Sequence, residues 1–369
     1  MTAVAFAMML LAGCGTRSGV VGVEDEFTLH RGLNISHWLS QSPARGVVRE
    51  YYFTEKDVEY ISSEGFDHIR IPIDEEQMFL EDGQKDAEAF TLLHNALSWC
   101  RKYNLRAVVD LHILRSHYFD AAVKPLFTDA AAQESFFNCW RRISDELKSY
   151  PTGWVAYELM NEPVADCPED WNRLVKRCVE IIRENEPERT LVIGSNRWQS
   201  IWTMKDLELP EDDGNIILSF HYYDPFLFTH YQASWKQEKE YTGKVHYPGP
   251  VVQTDDLAAV SPEIAARYAA WTAKIYDKEA FARDFGVAAE VAKARGLKIY
   301  CGEYGCINTS PAADRIRWWR DINEVFEEMD IARAVWDYKG QFGIIKQGQP
   351  DTEMLDALMG RPETDNSTL

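Results

Sequence analysis

The chain has 369 residues, enough for one large α/β barrel or two ordinary domains, and its 46% hydrophobic and 12% aromatic content supplies a sizeable core. Fifty-nine acidic residues against 39 basic ones give a net charge of -20, spread along the chain. With no basic patch to offset it, such a field excludes nucleic acid as a partner and leaves a neutral polymer free to approach.

The chain opens on a short apolar run from Ala3 to Ala12, too short to span a bilayer as a helix. It ends in Leu11-Ala12-Gly13-Cys14, followed by Gly15-Thr16-Arg17-Ser18-Gly19. A basic n-region is missing, but the tetrad resembles the bacterial lipoprotein signal, in which the Cys is lipidated and becomes the mature N-terminus. The expectation is a signal peptide over 1–14 with Cys14 lipidated, and a flexible tether over 15–23. The expected location is then outside the cytoplasm: a membrane-anchored lipoprotein, periplasmic or on the cell surface, and otherwise a secreted protein.

From about residue 24, short β-branched or apolar runs alternate with stretches of helical periodicity. The runs cover 28–35, 68–71, 105–110, 155–159, 190–193, 216–220, 298–301 and 332–336, and helices are predicted over 55–64, 90–103, 131–147, 171–184, 278–295 and 312–329. Thr54 and Ser310-Pro311 mark helix starts, while Gly65, Asn104 and Gly296 suit left-handed C-cap positions. Strand then helix, eight times over, with strands apolar enough for burial on both faces, predicts an α/β fold of the (β/α)₈ TIM-barrel type. A doubly wound sheet competes less well, because no Gly-x-Gly-x-x-Gly follows the first strand. A single catalytic domain is expected over 24–356, with a polar tail over 357–369 and a monomeric state.

One connection is long. Between Tyr222 and Ser261 lie Phe226, Phe228, Tyr231, Trp235, Tyr241 and Tyr247. A loop of this length is functional or disordered, and the aromatic content favours a wall of a binding cleft.

Chemistry in a barrel collects at the C-terminal ends of its strands. There the chain places Arg70, His112, Asn161-Glu162, His221-Tyr222-Tyr223, Glu303 and Trp336. Two carboxylates at strand ends meet the requirement of glycosidic hydrolysis, one as acid and one as nucleophile. Glu162 is the candidate general acid, which requires a pKa raised by burial or by the second carboxylate. Glu303 is the candidate nucleophile, kept ionised and aimed by the two-pronged donor Arg70, with Tyr223 donating to the same carboxylate. Asn161 suits a sugar 2-hydroxyl, while His112 and His221 suit hydroxyls or the acid itself. Trp38 and Trp336 offer flat faces for a sugar, and His37, Trp198 and Trp235 are further candidates for substrate contact.

Other chemistries fare worse. Ile193-Gly194-Ser195-Asn196-Arg197 lacks the glycines of a nucleophile elbow, and no His-Glu-x-x-His or clustered ligand pair marks a metal site. No metal or cofactor is therefore expected. Cys100, Cys139, Cys167, Cys178, Cys301 and Cys306 match no zinc or redox spacing; they read as small buried hydrophobes, with a local Cys301–Cys306 disulfide as the alternative.

Taken in order, Arg31-Gly32-Leu33-Asn34, Ile69-Arg70-Ile71-Pro72, Asp110-Leu111-His112, Leu159-Met160-Asn161-Glu162-Pro163, His221-Tyr222-Tyr223, Gly302-Glu303-Tyr304-Gly305 and Trp336 resemble glycoside hydrolase family 5. The resemblance covers nearly the whole chain and departs at no catalytic position. It implies Glu162 as acid/base, Glu303 as nucleophile and a retaining double displacement. It also implies a β-linked polysaccharide or oligosaccharide substrate, with a β-1,4-glucan the commonest in the family. β-Mannan, xyloglucan and exo-acting β-glucosidase activities remain within it. A non-catalytic glycan-binding lipoprotein is the reading from another class; its signature would be loss of a glutamate or of Arg70, and all three are present.

Overall fold

The computed structural model describes residues 26–362, so Cys14 and the segments 1–14 and 15–23 lie outside the described residues. Eight parallel strands close into a barrel: β1 (Arg31–Asn34), β2 (His68–Asp74), β3 (Arg106–Ile113), β4 (Val155–Glu158), β5 (Leu191–Gly194), β6 (Ile216–Tyr222), β7 (Lys298–Tyr304) and β8 (Ala332–Val335). Each pairs with the next in sequence, and β8 returns to β1. Every predicted run contains a strand. Five strands run further than predicted, to Asp74, Ile113, Gly194, Tyr222 and Tyr304, because pairing with the neighbouring strand continues past the apolar runs.

Long helices α1 (Glu55–Glu64), α2 (Ala87–Lys102), α3 (Ala130–Leu147), α4 (Pro168–Arg183), α5 (Lys278–Arg295) and α6 (Ala312–Glu328) pack outside. Thr54 and Asp57 form the capping box of α1, and Gly65 (φ 100°) and Gly296 (φ 65°) close α1 and α5 in the left-handed region. Ser310 does not cap α6; its hydroxyl donates to the Phe228 carbonyl at 2.6 Å, tying that helix to the long connection. After β5 the helix shrinks to a 3₁₀ segment, Ile201–Asp206. The eighth position is filled by α7 (Thr352–Met359), which buries Met354, Leu355, Ala357 and Leu358. The expected domain end at 356 therefore falls inside a packed helix and is corrected to the left-handed Gly360, where α7 stops. Among the described residues no helix is long and apolar enough to cross a membrane.

The connection from β6 to α5 is folded. It holds the short helices Phe226–Thr229 and Pro262–Tyr268 and a ladder pairing Gly249–Pro250 with Ile275–Tyr276. Phe228, Tyr241 and Tyr247 are buried, and Tyr247 stacks on Phe281 at 5.9 Å. The expected aromatic wall is thus part packing flap; of its six aromatics, Phe226 and Trp235 line the cleft.

Inside the barrel, alternation does the positioning. Val108, Ala156, Val192, Ile217, Tyr300 and Ala334 form an apolar layer, plugged from below by Phe27. Two residues further along each strand, on the same inward face, stand Asp110, Glu158, Gly194, Ser219, Gly302 and Trp336. A sealed apolar floor beneath a polar layer leaves the C-terminal mouth as the accessible end.

Candidate active site

Arg70, fully buried on β2, organises the polar layer. Its Nε and Nη2 donate to the two oxygens of Glu158 at 2.6 and 3.1 Å, and Nη1 donates to Glu303 Oε1 at 2.7 Å and Asn34 Oδ1 at 2.9 Å. Nη2 also lies 3.0 Å from Asp110 Oδ2 and from Asn161 Oδ1. One guanidinium thus faces three buried carboxylates, and that excess of negative charge favours retained protons. Burial pushes the Asp110 carboxyl up to about 7 against the pull of Arg70, and raises Glu158 as well.

Glu303 reaches this cluster through a bulge. On β6 Phe220 pairs with Cys301 and His221 with Glu303, while on β8 Arg333 pairs with Cys301 and Val335 with Tyr304. Both neighbours therefore see one extra residue on β7, at Gly302–Glu303. Strict alternation from the inward Tyr300 would send Glu303 outward, and the bulge turns it into the mouth. A Cβ on Gly302 would sit 2.9 Å from Ser219 Oγ and 3.2 Å from His221 Nε2, so glycine is what fits there.

Glu162 arrives differently. It lies beyond the end of β4 with φ 47°, a left-handed conformation uncommon for a non-glycine residue. It is pinned on both sides: its N–H donates to Gln199 Oε1 at 2.9 Å, and its carbonyl accepts from His117 Nε2 at 3.2 Å. Gln199 also donates through Nε2 to Glu158 and Ser219, and its side chain fills the space a Cβ on Gly194 would occupy.

The two glutamates differ in their surroundings. Tyr223 donates its hydroxyl to Glu303 Oε2 at 2.9 Å while Arg70 holds Oε1. Among the described residues Glu162 makes no ion pair with a Lys or Arg; His221 Nδ1 lies 3.0 Å from its Oε1 and 3.6 Å from Glu303 Oε2. Donor atoms of Glu162, His221 and Glu303 all lie within 4.8 Å of one another. Burial, then the charge of Glu303, lifts Glu162 well above the usual carboxylate range. Burial also raises Glu303, but Arg70 opposes it. The shared proton therefore belongs on Glu162. Burial holds the His221 imidazole neutral and lowers His112 to about 4.

These groups line a cleft of about 1090 Å³, with His37, Trp198, Trp235 and Trp336 along it. Trp336 stacks on His112, ring centres 5.7 Å apart and nearly parallel, and meets the His37 ring edge-on at 6.5 Å. His112 Nδ1 is in turn held by Asp110 Oδ2 at 2.6 Å. Trp198 and Trp235 are 45% and 46% exposed, free faces of the kind a sugar ring needs. Trp38 is corrected: it is 1% exposed, packs on Phe53 and donates Nε1 to the Arg49 carbonyl at 2.8 Å. Its neighbour in sequence, His37, takes the place at the cleft because it adopts φ 54° and turns the other way.

The family model for cellulase, glycosyl hydrolase family 5, matches residues 31–341. The chain belongs to glycoside hydrolase family 5. It is 34% identical over 340 residues to endoglucanase C of Acetivibrio thermocellus, covering 90% of this chain and 98% of that protein. To cellodextrinase A of Ruminococcus flavefaciens it is 29% identical over 306 residues, covering 82% of this chain and 83% of that one. Cel5A of Thermotoga maritima, determined with cellobiose, superposes with a TM-score of 0.72 at 25% identity, covering 89% of this chain and 97% of that one. This family 5 member is accordingly a glycoside hydrolase of the β-glucan-degrading kind.

Three residues of the site have no role in the sequence pattern. Glu158 and Gln199 position Arg70 and Glu162, and His117 holds the Glu162 carbonyl. Glu158 had a signal, a carboxylate on the inward face of an apolar strand. Gly194 was a second signal, since a strand glycine marks a close approach. His117, in an irregular loop, had none. Cys301 and Cys306, for which a disulfide was the alternative, are buried free thiols.

Proposed function

We propose that this enzyme cleaves β-1,4-linked glucan with retention of anomeric configuration, using Glu303 as nucleophile and Glu162 as acid/base. The observation that carries the reading is the pair itself: an oxygen of each carboxyl group lies within 4.8 Å of one on the other, Arg70 and Tyr223 favour charge on Glu303, and burial favours a proton on Glu162. Retaining enzymes hold their carboxyl groups about 5–5.5 Å apart, whereas inverting ones need roughly 6.5–9.5 Å to admit a water.

In the first step the Glu162 hydroxyl gives its proton to the glycosidic oxygen as the bond from that oxygen to the anomeric carbon breaks. A Glu303 oxygen bonds to the same carbon from the opposite face. In the second step the Glu162 carboxylate takes a proton from water, the hydroxide oxygen bonds to the anomeric carbon, and Glu303 leaves as carboxylate. In this reading Asn161 binds the 2-hydroxyl and Trp336 the face of the ring at the cleaved bond; both line the cleft beside the two glutamates. The β-1,4-glucan assignment is supported by the endoglucanase and cellodextrinase relatives.

Proton NMR of cellotetraose hydrolysis tests the mechanism: the β-anomer is expected first, and the α-anomer first would refute retention. A panel of carboxymethylcellulose, barley glucan, mannan, xyloglucan and xylan tests the substrate, with the glucans expected to be fastest. The same reading places the enzyme outside the cytoplasm as a monomer anchored through lipidated Cys14. Cys14→Ser is expected to abolish labelling by radioactive palmitate in a bacterial host, and undiminished labelling would exclude that anchor.

A further inference from the structure

Two loops that line the cleft are joined by an ion pair. Asp120, in the loop after β3, accepts from Lys236 Nζ through both carboxylate oxygens, at 2.9 and 2.8 Å. Lys236 belongs to the connection after β6, and in the ring of strands β4 and β5 stand between β3 and β6. The pair therefore spans the rim segment whose strands lead to Glu162 and Trp198.

Each partner sits on an anchored support. Phe119 packs edge-on against His112, and Lys124 Nζ donates to the Val164 carbonyl, fixing the Asp120 loop. On the other side Ala233 is buried with Ile307 and Phe342, and the backbone N–H of Lys236 donates to the Ala233 carbonyl. The two charges are held in register rather than meeting by chance on long free side chains. Both also line the cleft.

The leaving portion of a substrate carries the oxygen that Glu162 protonates, and a chain running from there toward Trp198 would pass the Asp120–Lys236 pair. We infer that Asp120 and Lys236 are specificity-determining residues: a clasp across the leaving-group end of the cleft that favours short β-glucan oligosaccharides and chain ends over internal segments of a polymer. An internal segment cannot be laid into a covered groove from above, whereas a short chain or a free end can slide beneath the pair. At 27% and 35% side-chain exposure the ion pair is weak enough to open, so polymer is disfavoured rather than excluded. This inference rests on the β-1,4-glucanase reading.

The test compares kcat/KM on carboxymethylcellulose with kcat/KM on cellotetraose for wild type, Asp120→Asn, Lys236→Met and the exchanged pair Asp120→Lys/Lys236→Asp. Each single variant is expected to raise the polymer-to-oligosaccharide ratio about threefold to fivefold, the range a partly exposed ion pair can supply. The exchanged pair is expected to restore the wild-type ratio, which shows that the ion pair, and not either side chain alone, sets it. A single-variant ratio that stays unchanged or falls, or an exchanged pair that does not restore it, overturns the clasp. Wild type inactive on both substrates would instead overturn the β-1,4-glucanase reading, and the clasp's substrate class with it.

Discussion

Arg70 donates from Nη1 to Glu303 Oε1 across 2.7 Å, from a guanidinium with no exposure to solvent. At that depth the contact stabilises a charged carboxylate far more than it would in water, and the same guanidinium is shared with Glu158 and Asp110. Removing the charge of Glu303 while keeping its shape should therefore stop the chemistry and spare the architecture. Glu303→Gln is expected to lower kcat by about 10⁴-fold or more, the scale on which loss of a nucleophile is felt. Binding of cellotetraose by calorimetry should persist, and near-normal turnover would exclude the assignment.

Glu162 acts on the departing oxygen, so its importance should follow the leaving group. With Glu162→Ala, hydrolysis of cellotetraose is expected to fall by about 10²- to 10⁴-fold. An activated aryl cellobioside, whose phenolate needs little protonation, should lose much less in the first step. Equal losses on both substrates would count against the acid role.

The pH dependence follows from the same pair. Activity needs Glu303 ionised and Glu162 protonated, so kcat/KM should be bell-shaped. The acid limb reports protonation of Glu303. The alkaline limb reports loss of the Glu162 proton, at a pH displaced upward by burial and by the Glu303 charge. Abolishing that charge must make Glu162 easier to ionise. In Glu303→Gln the Glu162 carboxyl, followed by carbon-13 NMR, is expected to titrate at lower pH than in the wild type; a rise would contradict the electrostatic coupling.

Arg70→Met tests how far the site depends on one buried cation. It leaves Glu158, Asp110 and Glu303 buried together without their counter-ion, a situation that costs about 3–5 kcal/mol. Urea unfolding should show a loss of that size, and a variant as stable as wild type would show that the carboxylates find other partners.

Trp38 and Trp198 separate core from platform. Trp38→Ala is expected to destabilise by about 3–5 kcal/mol, as loss of a large buried aromatic does. Trp198→Ala should leave the unfolding midpoint nearly unchanged and raise KM for cello-oligosaccharides. The reverse pattern would restore Trp38 as a sugar platform.

Much of this was legible in the chain. The eight strand runs, the helices flanking them and the caps at Thr54, Gly65 and Gly296 follow from periodicity and local turn chemistry, which neighbours in space alter little. Arg70, His221, Tyr223, Glu162 and Glu303 stood out as polar groups ending apolar runs. Trp38 and His37 were indistinguishable, because adjacent residues at a strand end differ in destination only through backbone torsion. Gln199 was invisible for a related reason: it acts through three successive left-handed residues, Arg197 to Gln199, that fold its side chain back under Glu162.

What the sequence determined by itself was the barrel and the list of groups at its mouth, since hydrophobic alternation and strand-end chemistry are local properties. Tertiary structure decided which of those groups face one another. The extra residue on β7 reverses the alternation and turns Glu303 inward, and the left-handed turn at Glu162 brings the second carboxylate back over the barrel. Both depend on register against neighbouring strands and on contacts from β3, β5 and β6 loops distant in sequence. The physical reason is that a side chain's direction is set by pairing, and pairing exists only once the barrel has closed.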